Sequence, residues 1–476
     1  MTSSSSTAKK KGADSSTFKL KLPEWQPKEY QKKAMRFALE RNAAALFLDP
    51  GLGKTSITLG VFKVLKAKWM VKRMLVVAPL RVCYATWPGE IKKWKDFEHL
   101  TYSILHGKDK EKALREQTDI HVINPEGLEF LLRHHSARSW PYDMLVVDES
   151  TMFKNMRATR SKLLNMVTKY FTRRYILTGT PAPNGLLDLY GQIYILDRGA
   201  SLGRFYSHYR AEHFAPGGFN NYQWSLVKGE DKKIQAKIKD LAIFMDAKDW
   251  LELKEPIFNV IRVDLPPKAR AIYDTMEDEM FAGLDSGRVK AVNSGVASMK
   301  CRQIANGGLY IDAKEGTYED IHHAKVEVVA GLVDELNGAP ALISYEFGPD
   351  LERLLEALGD PPSSHSLPVK EYERFAAEWR DGKHSVFLGQ PASMAHGLNL
   401  QGGRAIIFHS LTYNYEHYYQ FIRRVHRQGN NGAVVIHLIV ARDTVDEVML
   451  ATLLRKEKGE RAFLEALKRY RLARGK

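Results

Sequence analysis

The chain has 476 residues, which suits about two or three domains, each with its own hydrophobic core. Hydrophobic residues make up 44% and charged residues 27%, and no apolar run approaches the roughly 18 residues that span a bilayer. This composition excludes a largely disordered or membrane-embedded protein. Lys and Arg number 71 against 56 Asp and Glu, a formal net charge of +15, which indicates an anionic partner such as nucleic acid. The alternative is that part of this excess only solubilises the surface.

The start of the chain and the cysteine content indicate a protein of a reducing interior. Residues 1–17 are polar and lack the apolar core of a signal peptide, so we expect a flexible tail outside the fold. Cys83 and Cys301 lie far apart, which excludes a disulfide framework and a cysteine-rich metal site.

From residue 18 onward, short apolar runs alternate with longer amphipathic stretches, the pattern of a parallel sheet covered by helices. The first predicted strands are 44–48, 74–78, 120–123, 144–147 and 175–177. Each run ends at a polar or glycine-containing segment. Because ligands of an open α/β sheet bind beyond the carboxyl ends of its strands, we expect these segments to form one site on a first lobe, 18–197.

A second set of predicted strands is 341–345, 386–388, 405–408 and 434–440. It predicts a second α/β lobe at 256–455, with a helical protrusion at about 268–300 and a basic helical tail at 456–476. Between residues 198 and 255 the periodicity fades, which indicates an insertion or linker. Its aromatic and basic residues could stack on bases or wedge a duplex, but a small packed subdomain is the favoured interpretation.

A phosphate-binding loop is predicted after the first strand and before a helical stretch, the context that such a loop requires. Its residues are Asp49, Pro50, Gly51, Leu52, Gly53, Lys54 and Thr55, followed by Ser56. Glycines let backbone N–H groups approach phosphates, and the helix N-terminus favours their negative charge. We therefore expect Lys54 to contact the β- and γ-phosphates of ATP, and Thr55 to help hold Mg²⁺. The strict pattern has glycine where Leu48 stands, a departure that the context outweighs.

Two carboxylates, Asp148 and Glu149, follow the fourth predicted strand. A carboxylate at a buried strand end is costly unless it binds a cation, so Asp148 is predicted to bind Mg²⁺. Glu149 would then orient and activate the attacking water. Two solvated acids in a turn are the alternative, which the upstream phosphate loop disfavours.

Arg424 and Arg427 near the end of the second lobe complete the predicted catalytic set. If helical, their spacing puts them on one face, where two guanidinium groups would stabilise charge on the transferring phosphoryl group. Read without context, the same residues would form a solvated basic helix face. With Lys54, Asp148 and Glu149 on the other lobe, the set is divided between lobes, so lobe closure would act as the catalytic switch.

The ordered segments DPGLGKT, VVAPLRV, VVDEST, LTGTPAPN, ALISYEF, ASMAHGLNLQGG and QFIRRVHRQGN resemble the helicase motifs of superfamily 2. The forms DEST, LTGTPAPN, GLNLQGG and RRVHRQGN are similar to those of its Snf-type, chromatin-remodeller-like branch, and residues 299–310 resemble that branch's segment joining the lobes. The resemblance implies two tandem RecA-like parallel-sheet lobes with helical insertions and a nucleic-acid-stimulated ATPase. The small size resembles a minimal bacterial or phage form. Asn430 stands where the branch has Gln, and Leu48 where it has Asp.

The same resemblance implies further roles for individual residues. Gln31 would read the adenine edge, and Gly397 would lie near the nucleotide. Coupling of hydrolysis to lobe movement is implied for Thr178, Gly179 and Thr180. Contacts to a nucleic-acid backbone are implied for Arg81, Ser344, Tyr345, His396 and Asn399.

Together these features predict an ATP-driven DNA translocase or remodelling helicase of replication, recombination or repair, with sequence-tolerant, salt-sensitive binding. Duplex or branched DNA is the expected partner; RNA is possible, and no membrane is expected. The alternatives are a strand-separating helicase on RNA or single-stranded DNA, and a catalytically silent scaffold, which the complete catalytic set disfavours. Any nuclease or replication protein would be a separate chain, because His322 and His323 have no metal-ligand partners and suit a solvated loop. We expect a monomer in the cytoplasm of a bacterial or phage-infected cell, or in the nucleus of a eukaryotic one.

Overall fold

A computed structural model describes the two lobes and most of the loops between their elements. The described residues are 22–136, 139–182, 185–217, 223–251, 254–285, 288–368, 371–394, 398–427, 430 and 432–454. The two predicted tails, 1–17 and 456–476, lie outside these ranges, as do the predicted site residues His396 and Gly397.

The first lobe is a parallel sheet between two layers of helices. Its strands are β1 (Ala43–Leu48), β2 (Met74–Val77), β3 (Tyr102–Ile104), β4 (Ile120–Ile123), β5 (Met144–Asp148) and β6 (Arg173–Thr178). Its helices are α1 (Glu29–Leu39), α2 (Lys54–Ala67), α3 (Leu80–Tyr84), α4 (Thr86–Lys93), α5 (Lys110–Arg115), α6 (Leu128–His134), α7 (Thr159–Val167) and α8 (Leu189–Asp197). All five strands predicted from the sequence are confirmed, and β3 is an addition at the sheet edge.

Residues 206–251 contribute further elements to the first lobe. Their elements are α9 (Tyr206–His213), β7 (Phe214–Gly217), β8 (Gln223–Leu226), α10 (Glu230–Ile238), β9 (Ala242–Met245) and α11 (Ala247–Trp250). Strand β9 pairs in parallel with β1 and completes the first sheet in the order β3-β4-β2-β5-β6-β1-β9. Tyr209, Phe214 and Ile234 are buried in the same hydrophobic cluster as one face of that sheet. These residues therefore pack with the first lobe, as the favoured interpretation of a packed segment expects.

The second lobe is another parallel sheet, in the order β10-β16-β15-β13-β14. Its strands are β10 (Ile257–Val263), β13 (Ala341–Ser344), β14 (Val386–Gly389), β15 (Ala405–Phe408) and β16 (Val435–Ala441), and a separate hairpin pairs β11 (Gly308–Asp312) with β12 (Thr317–Asp320). Its helices after the hairpin are α14 (Ala324–Glu335), α15 (Gly348–Leu358), α16 (Tyr372–Arg380), α17 (Pro391–Met394), α18 (Tyr415–Val425) and α19 (Val445–Leu454). Strands β13, β14, β15 and β16 are largely buried and read as continuous apolar runs, which is why these four were predictable.

The segment predicted as a helical protrusion forms two helices, α12 (Pro267–Asp285) and α13 (Arg288–Asn306), packed against each other. Tyr273 and Cys301 at its base are buried in the second lobe's core. Because Leu251 is still buried in the first lobe's core and β10 starts the second sheet at Ile257, the chain passes from the first lobe to the second between these two residues. Residues 299–310 lie in α13 and β11, inside the second lobe, which corrects their expected place between the lobes. None of the described helices is both long and apolar enough to span a membrane.

Candidate active site

The segment between β1 and α2 has the backbone that a phosphate loop needs. Gly51 and Gly53 have φ of 92° and 77°, in the left-handed region where a side chain is strained, and α2 begins directly afterwards at Lys54. Gln31 lies against this loop: its Nε2 donates to the Leu52 carbonyl at 3.2 Å, and its Oε1 accepts from the Lys28 N–H at 2.9 Å. The predicted adenine-reading residue is thus held in a fixed orientation beside the loop.

Lys54 is half-buried at the first turn of α2 and donates from Nζ to the Leu48 carbonyl at 2.8 Å. Burial lowers its pKa, and the nearby Glu149, Asp148 and Asp49 carboxylates oppose that shift. Thr55 follows it and is buried. The Lys54 ammonium can bind the phosphates of a nucleotide, and the carboxylates beside it suit the metal ion that accompanies those phosphates.

Asp148 is buried at the carboxyl end of β5. Its Oδ2 accepts from Trp87 Nε1 at 3.1 Å, and its Oδ1 accepts from the Glu149 N–H at 3.0 Å. Burial first, and then the neighbouring Glu149 charge, raise the pKa of Asp148 to about 6, while Lys54 opposes this. Such a carboxylate gains most from a cation placed beside it.

Glu149 adopts an unusual backbone conformation, with φ of 50°. Non-glycine residues in this left-handed region are strained and often belong to functional sites. Thr178 Oγ1, at the end of the neighbouring strand β6, donates to Glu149 Oε2 at 3.5 Å. The two acidic side chains thus have different partners, Trp87 for Asp148 and Thr178 for Glu149, which suits different roles.

The segment after β6 connects the phosphate loop with the second lobe. A Cβ added to Gly179 would lie 2.7 Å from Pro50 Cδ, so only glycine fits against the loop. Thr180 donates from its N–H to Thr178 Oγ1 at 3.1 Å, and from its hydroxyl to Glu416 Oε1 of α18 at 2.9 Å. These contacts put the three residues where a coupling element between lobes would have to lie.

Arg424 is buried near the end of α18 and is held by its own lobe. Its guanidinium donates to Gln420 Oε1 at 3.2 Å and to the Leu398 carbonyl at 3.3 Å. Burial and the nearby Arg427 lower its pKa to about 10, and Glu149 opposes the shift. Helix α18 ends at Val425, so Arg427 follows the helix and does not share its face with Arg424, which corrects that expectation.

One cavity of about 770 Å³ between the lobes is lined by the whole predicted catalytic set: Lys54, Asp148, Glu149, Arg424 and Arg427. Gln31 and Thr55 also line it. The same wall includes Trp25, Glu90 and Trp94, which the sequence analysis missed. Glu90 accepts from Ser56 Oγ at 2.8 Å and from Trp94 Nε1 at 2.9 Å. These residues lie between motifs, and the sequence carried no signal for them.

Several residues expected to contact nucleic acid lie elsewhere. Ser344 is fully buried and donates to the Ser410 carbonyl at 2.8 Å, and Tyr345 is 5% exposed with its hydroxyl 3.1 Å from Ser364 Oγ. Asn399 lines the cavity between the lobes. The burial of Ser344 and Tyr345 does not favour direct contact with a nucleic-acid backbone, and for all three residues that contact stays a prediction.

Three further residues differ from their expected surroundings. Arg81 donates to the Ser393 carbonyl across the cleft, and its guanidinium lies 5.3 Å from the centre of the Tyr372 ring. Asp49 accepts from the Ala247 N–H at 2.9 Å and from Tyr419 in the second lobe, so both of its carboxylate oxygens already have partners. His322, expected in a solvated loop, is buried and lies 2.8 Å from the Ile304 carbonyl.

The donor set fits Mg²⁺ bound together with a nucleotide. Within the described ranges, no group of three or more His, Cys, Asp or Glu side chains could hold a metal ion alone. Mg²⁺ at nucleotide sites is instead held by one or two protein oxygens, substrate phosphates and water. The Thr55 hydroxyl and the Asp148 carboxylate, both buried on the cavity side of the first lobe, are suited to that share.

Two parallel-sheet lobes with a phosphate loop and acidic pair on one and arginines on the other define the class of two-lobed, RecA-like motor ATPases. The family model of the SNF2-related domain matches residues 30–305, and that of the helicase conserved C-terminal domain matches residues 324–429. The chain belongs to the SNF2-related family of nucleic-acid-dependent ATPases. The Snf-type resemblance read from the motifs is therefore confirmed.

Comparison with known proteins shows one similar relative of almost the same length. A putative protein of Acyrthosiphon pisum secondary endosymbiont phage 1 is 35% identical over 461 residues, covering 93% of this chain and 99% of that protein. A human DNA annealing helicase and endonuclease is 24% identical over 90% of this chain, which spans only 39% of that protein. The solved Sulfolobus solfataricus SWI2/SNF2 ATPase core in complex with double-stranded DNA is 21% identical, with a TM-score of 0.43, covering 92% of this chain and 93% of that one.

Proposed function

We propose that this chain hydrolyses ATP in the cavity between its lobes and uses the cycle to move along duplex DNA. One observation carries the proposal: Lys54, Asp148 and Glu149 of the first lobe line the same cavity as Arg424 and Arg427 of the second. Neither lobe holds the complete set. Hydrolysis therefore requires both lobes to be in place, and opening of the cleft releases the product.

Each residue of the set has a distinct role in the proposed reaction. Lys54 binds the β- and γ-phosphates, and the loop N–H groups at the start of α2 bind the remaining phosphate oxygens. Glu149 orients the water that attacks the γ-phosphorus, and the bond from that phosphorus to the bridging oxygen of ADP breaks. Arg424 and Arg427 stabilise the negative charge on the transferring group.

Mg²⁺ would be held by Thr55 and Asp148 and would neutralise charge on the phosphates of the bound nucleotide. Trp87 and the Glu149 N–H fix the orientation of the Asp148 carboxylate in advance. Gln31, beside the loop, is the proposed reader of the adenine edge.

Two observations support DNA as the nucleic acid along which the motor moves: the charge of the chain and its similarity to a DNA helicase. The formal net charge of +15 favours a polyanion, and the human relative that matches 90% of this chain is named a DNA annealing helicase. The match spans only 39% of that relative, so we propose only the motor activity for this chain and not the relative's other activities. The phage relative of similar length supports a minimal phage form of the motor.

The test is an ATPase assay with duplex DNA, forks, single-stranded DNA and RNA, combined with displacement of a triplex-forming strand. We expect duplex DNA to stimulate turnover and the third strand to be displaced without separation of the duplex. Lys54→Ala should abolish both activities. Lys63→Ala, on the same helix but paired with Asp96 at 2.8 Å, should not. Stimulation by RNA or single-stranded DNA alone would favour the strand-separating alternative instead.

A further inference from the structure

Three polar side chains of helix α18 contact the first lobe. Glu416, Tyr419 and Arg423 have the spacing that places residues on one face of a helix. Glu416 accepts from the Thr180 hydroxyl at 2.9 Å, and Tyr419 and Arg423 both reach Asp49 of the phosphate loop. The two contact points lie about 10 Å apart along the helix axis.

The contact at Asp49 is a closed set of hydrogen bonds. Tyr419 donates its hydroxyl to Asp49 Oδ1 at 3.1 Å, and Arg423 donates to Asp49 Oδ2 at 3.5 Å and to the Tyr419 hydroxyl oxygen at 2.8 Å. The Arg423 and Asp49 side chains are only 12% and 16% exposed, so water screens the pair weakly. Burial raises the pKa of Tyr419 to about 12, which keeps its hydroxyl protonated and able to donate.

We propose that Asp49, Tyr419 and Arg423, here named the Asp49 latch, are positioning residues that hold α18 against the phosphate loop before nucleotide binds. The proposal rests on the ATPase function proposed above and assigns the regulation of its site. Asp49 serves as the first lobe's anchor and not as a ligand of ATP. Its anchoring is itself braced by the Ala247 N–H, which donates to Asp49 Oδ2 at 2.9 Å.

The latch acts on catalysis through the residue that follows it. Arg424 is the next residue of the same helix, and its guanidinium is near enough to Glu149 to feel that charge. Contacts at two points along α18 restrict its rotation relative to the first lobe, which keeps Arg424 at the cavity. Reactive groups already in place avoid the entropy cost of assembly, and small misplacements lower turnover strongly.

A competing explanation is that Arg423 binds the phosphates directly, because it also lines the cavity. The two explanations differ in how Asp49 and Arg423 depend on each other. If Arg423 acts through Asp49, removing both should cost no more than removing one. If Arg423 binds nucleotide, its loss should matter equally with or without Asp49.

The test is a double-mutant cycle of Asp49→Asn and Arg423→Gln, read in two ways. The first readout is the lobe distance in nucleotide-free protein, by energy transfer between dyes on Lys112→Cys and Glu356→Cys. Both positions are exposed, on α5 and α15, while the native Cys83 and Cys301 are buried and should resist labelling. The second readout is kcat and KM for ATP. Arg442→Gln, which breaks a pair with Asp264 inside the second lobe, is the matched control.

We expect each single variant to lower energy transfer without nucleotide, and to lower kcat by about tenfold with little change in KM. The double variant should resemble the singles, and Arg442→Gln should resemble the parent. Tyr419→Phe removes only the hydroxyl and should show the same changes more weakly. Because this substitution is conservative, it keeps the test valid if the charge variants misfold. Unchanged energy transfer, or additive losses with a raised KM for Arg423→Gln, would overturn the latch. Because energy transfer needs no turnover, a parent protein without ATPase activity would refute the proposed function and leave this test intact.

Discussion

Gly179→Ala tests whether the segment after β6 controls the phosphate loop. The added Cβ would lie 2.7 Å from Pro50 Cδ and 3.1 Å from Cγ, and a Cβ contact under 3.0 Å is essentially never tolerated. A proline ring cannot rotate away, so the loop itself must move by several tenths of an ångström. Since a misplacement of about 1 Å can cost about a hundredfold in rate, we expect kcat to fall about tenfold.

The matched control for this substitution is Gly331→Ala in α14. A Cβ there has nothing within 4 Å, and the residue lies in a helix interior. Ala is favoured over Gly in a helix by about 1 kcal/mol, so this variant should melt at a higher temperature and keep its ATPase rate. Steady-state ATPase assays and thermal melts of both variants give the comparison. A Gly179→Ala protein with parental kcat would refute the coupling of this segment to the loop.

Three further predictions concern the roles of Glu149 and Asp148 and the binding of DNA. Glu149→Gln should keep ATP binding, measured with a fluorescent analogue, but lower turnover by about a hundredfold or more; unchanged turnover would remove Glu149 from catalysis. The pKa of Asp148 is raised to about 6, so its ionised form is lost as pH falls. The apparent affinity for Mg²⁺, measured by ATPase activity, should therefore fall about tenfold per pH unit below about 6. Asp148→Asn should abolish the activity and with it this pH dependence. DNA binding in fluorescence anisotropy should weaken steeply with salt and little with sequence; a strong preference for one short site would contradict backbone recognition.

The sequence predicted the fold best where strands are buried on both sides. The runs of β1, β2, β5 and β13 are continuous and apolar because helices cover both faces of each sheet. Strand β9 was missed because it is a four-residue edge strand whose Phe244 is 53% exposed, so it carries neither a long apolar run nor alternation. Strand β10 escaped for the same reason, since Ile257 and Phe258 at its start are exposed.

Within the site, the sequence was most useful where the backbone itself forms the binding feature. Gly51 and Gly53 are required by positive φ, and Asp148 by the strand end, so their places follow from local rules. Ser344 and Tyr345 also lie at the end of a strand, but both side chains bond within the second lobe, to Ser410 and Ser364. A motif gives residue identity, whereas the direction of a side chain depends on distant partners.

Contacts across the cleft were beyond prediction for a related reason. The bonds from Thr180 to Glu416 and from Tyr419 to Asp49 join residues far apart in the chain, and each residue alone has an ordinary helical or loop context. Only the relative placement of the lobes brings them together. The same holds for Arg427, whose place after α18 depends on where that helix ends.

One catalytic site is divided between two lobes, and Arg424→Ala tests this division most directly. Arg424 is held by Gln420 and the Leu398 carbonyl of its own lobe, so its removal leaves the first lobe's phosphate loop intact. Single-turnover hydrolysis with duplex DNA, measured beside binding of a fluorescent ATP analogue, separates chemistry from binding. We predict retained binding with turnover reduced on the order of a thousandfold. Hydrolysis near the parental rate would contradict the divided site.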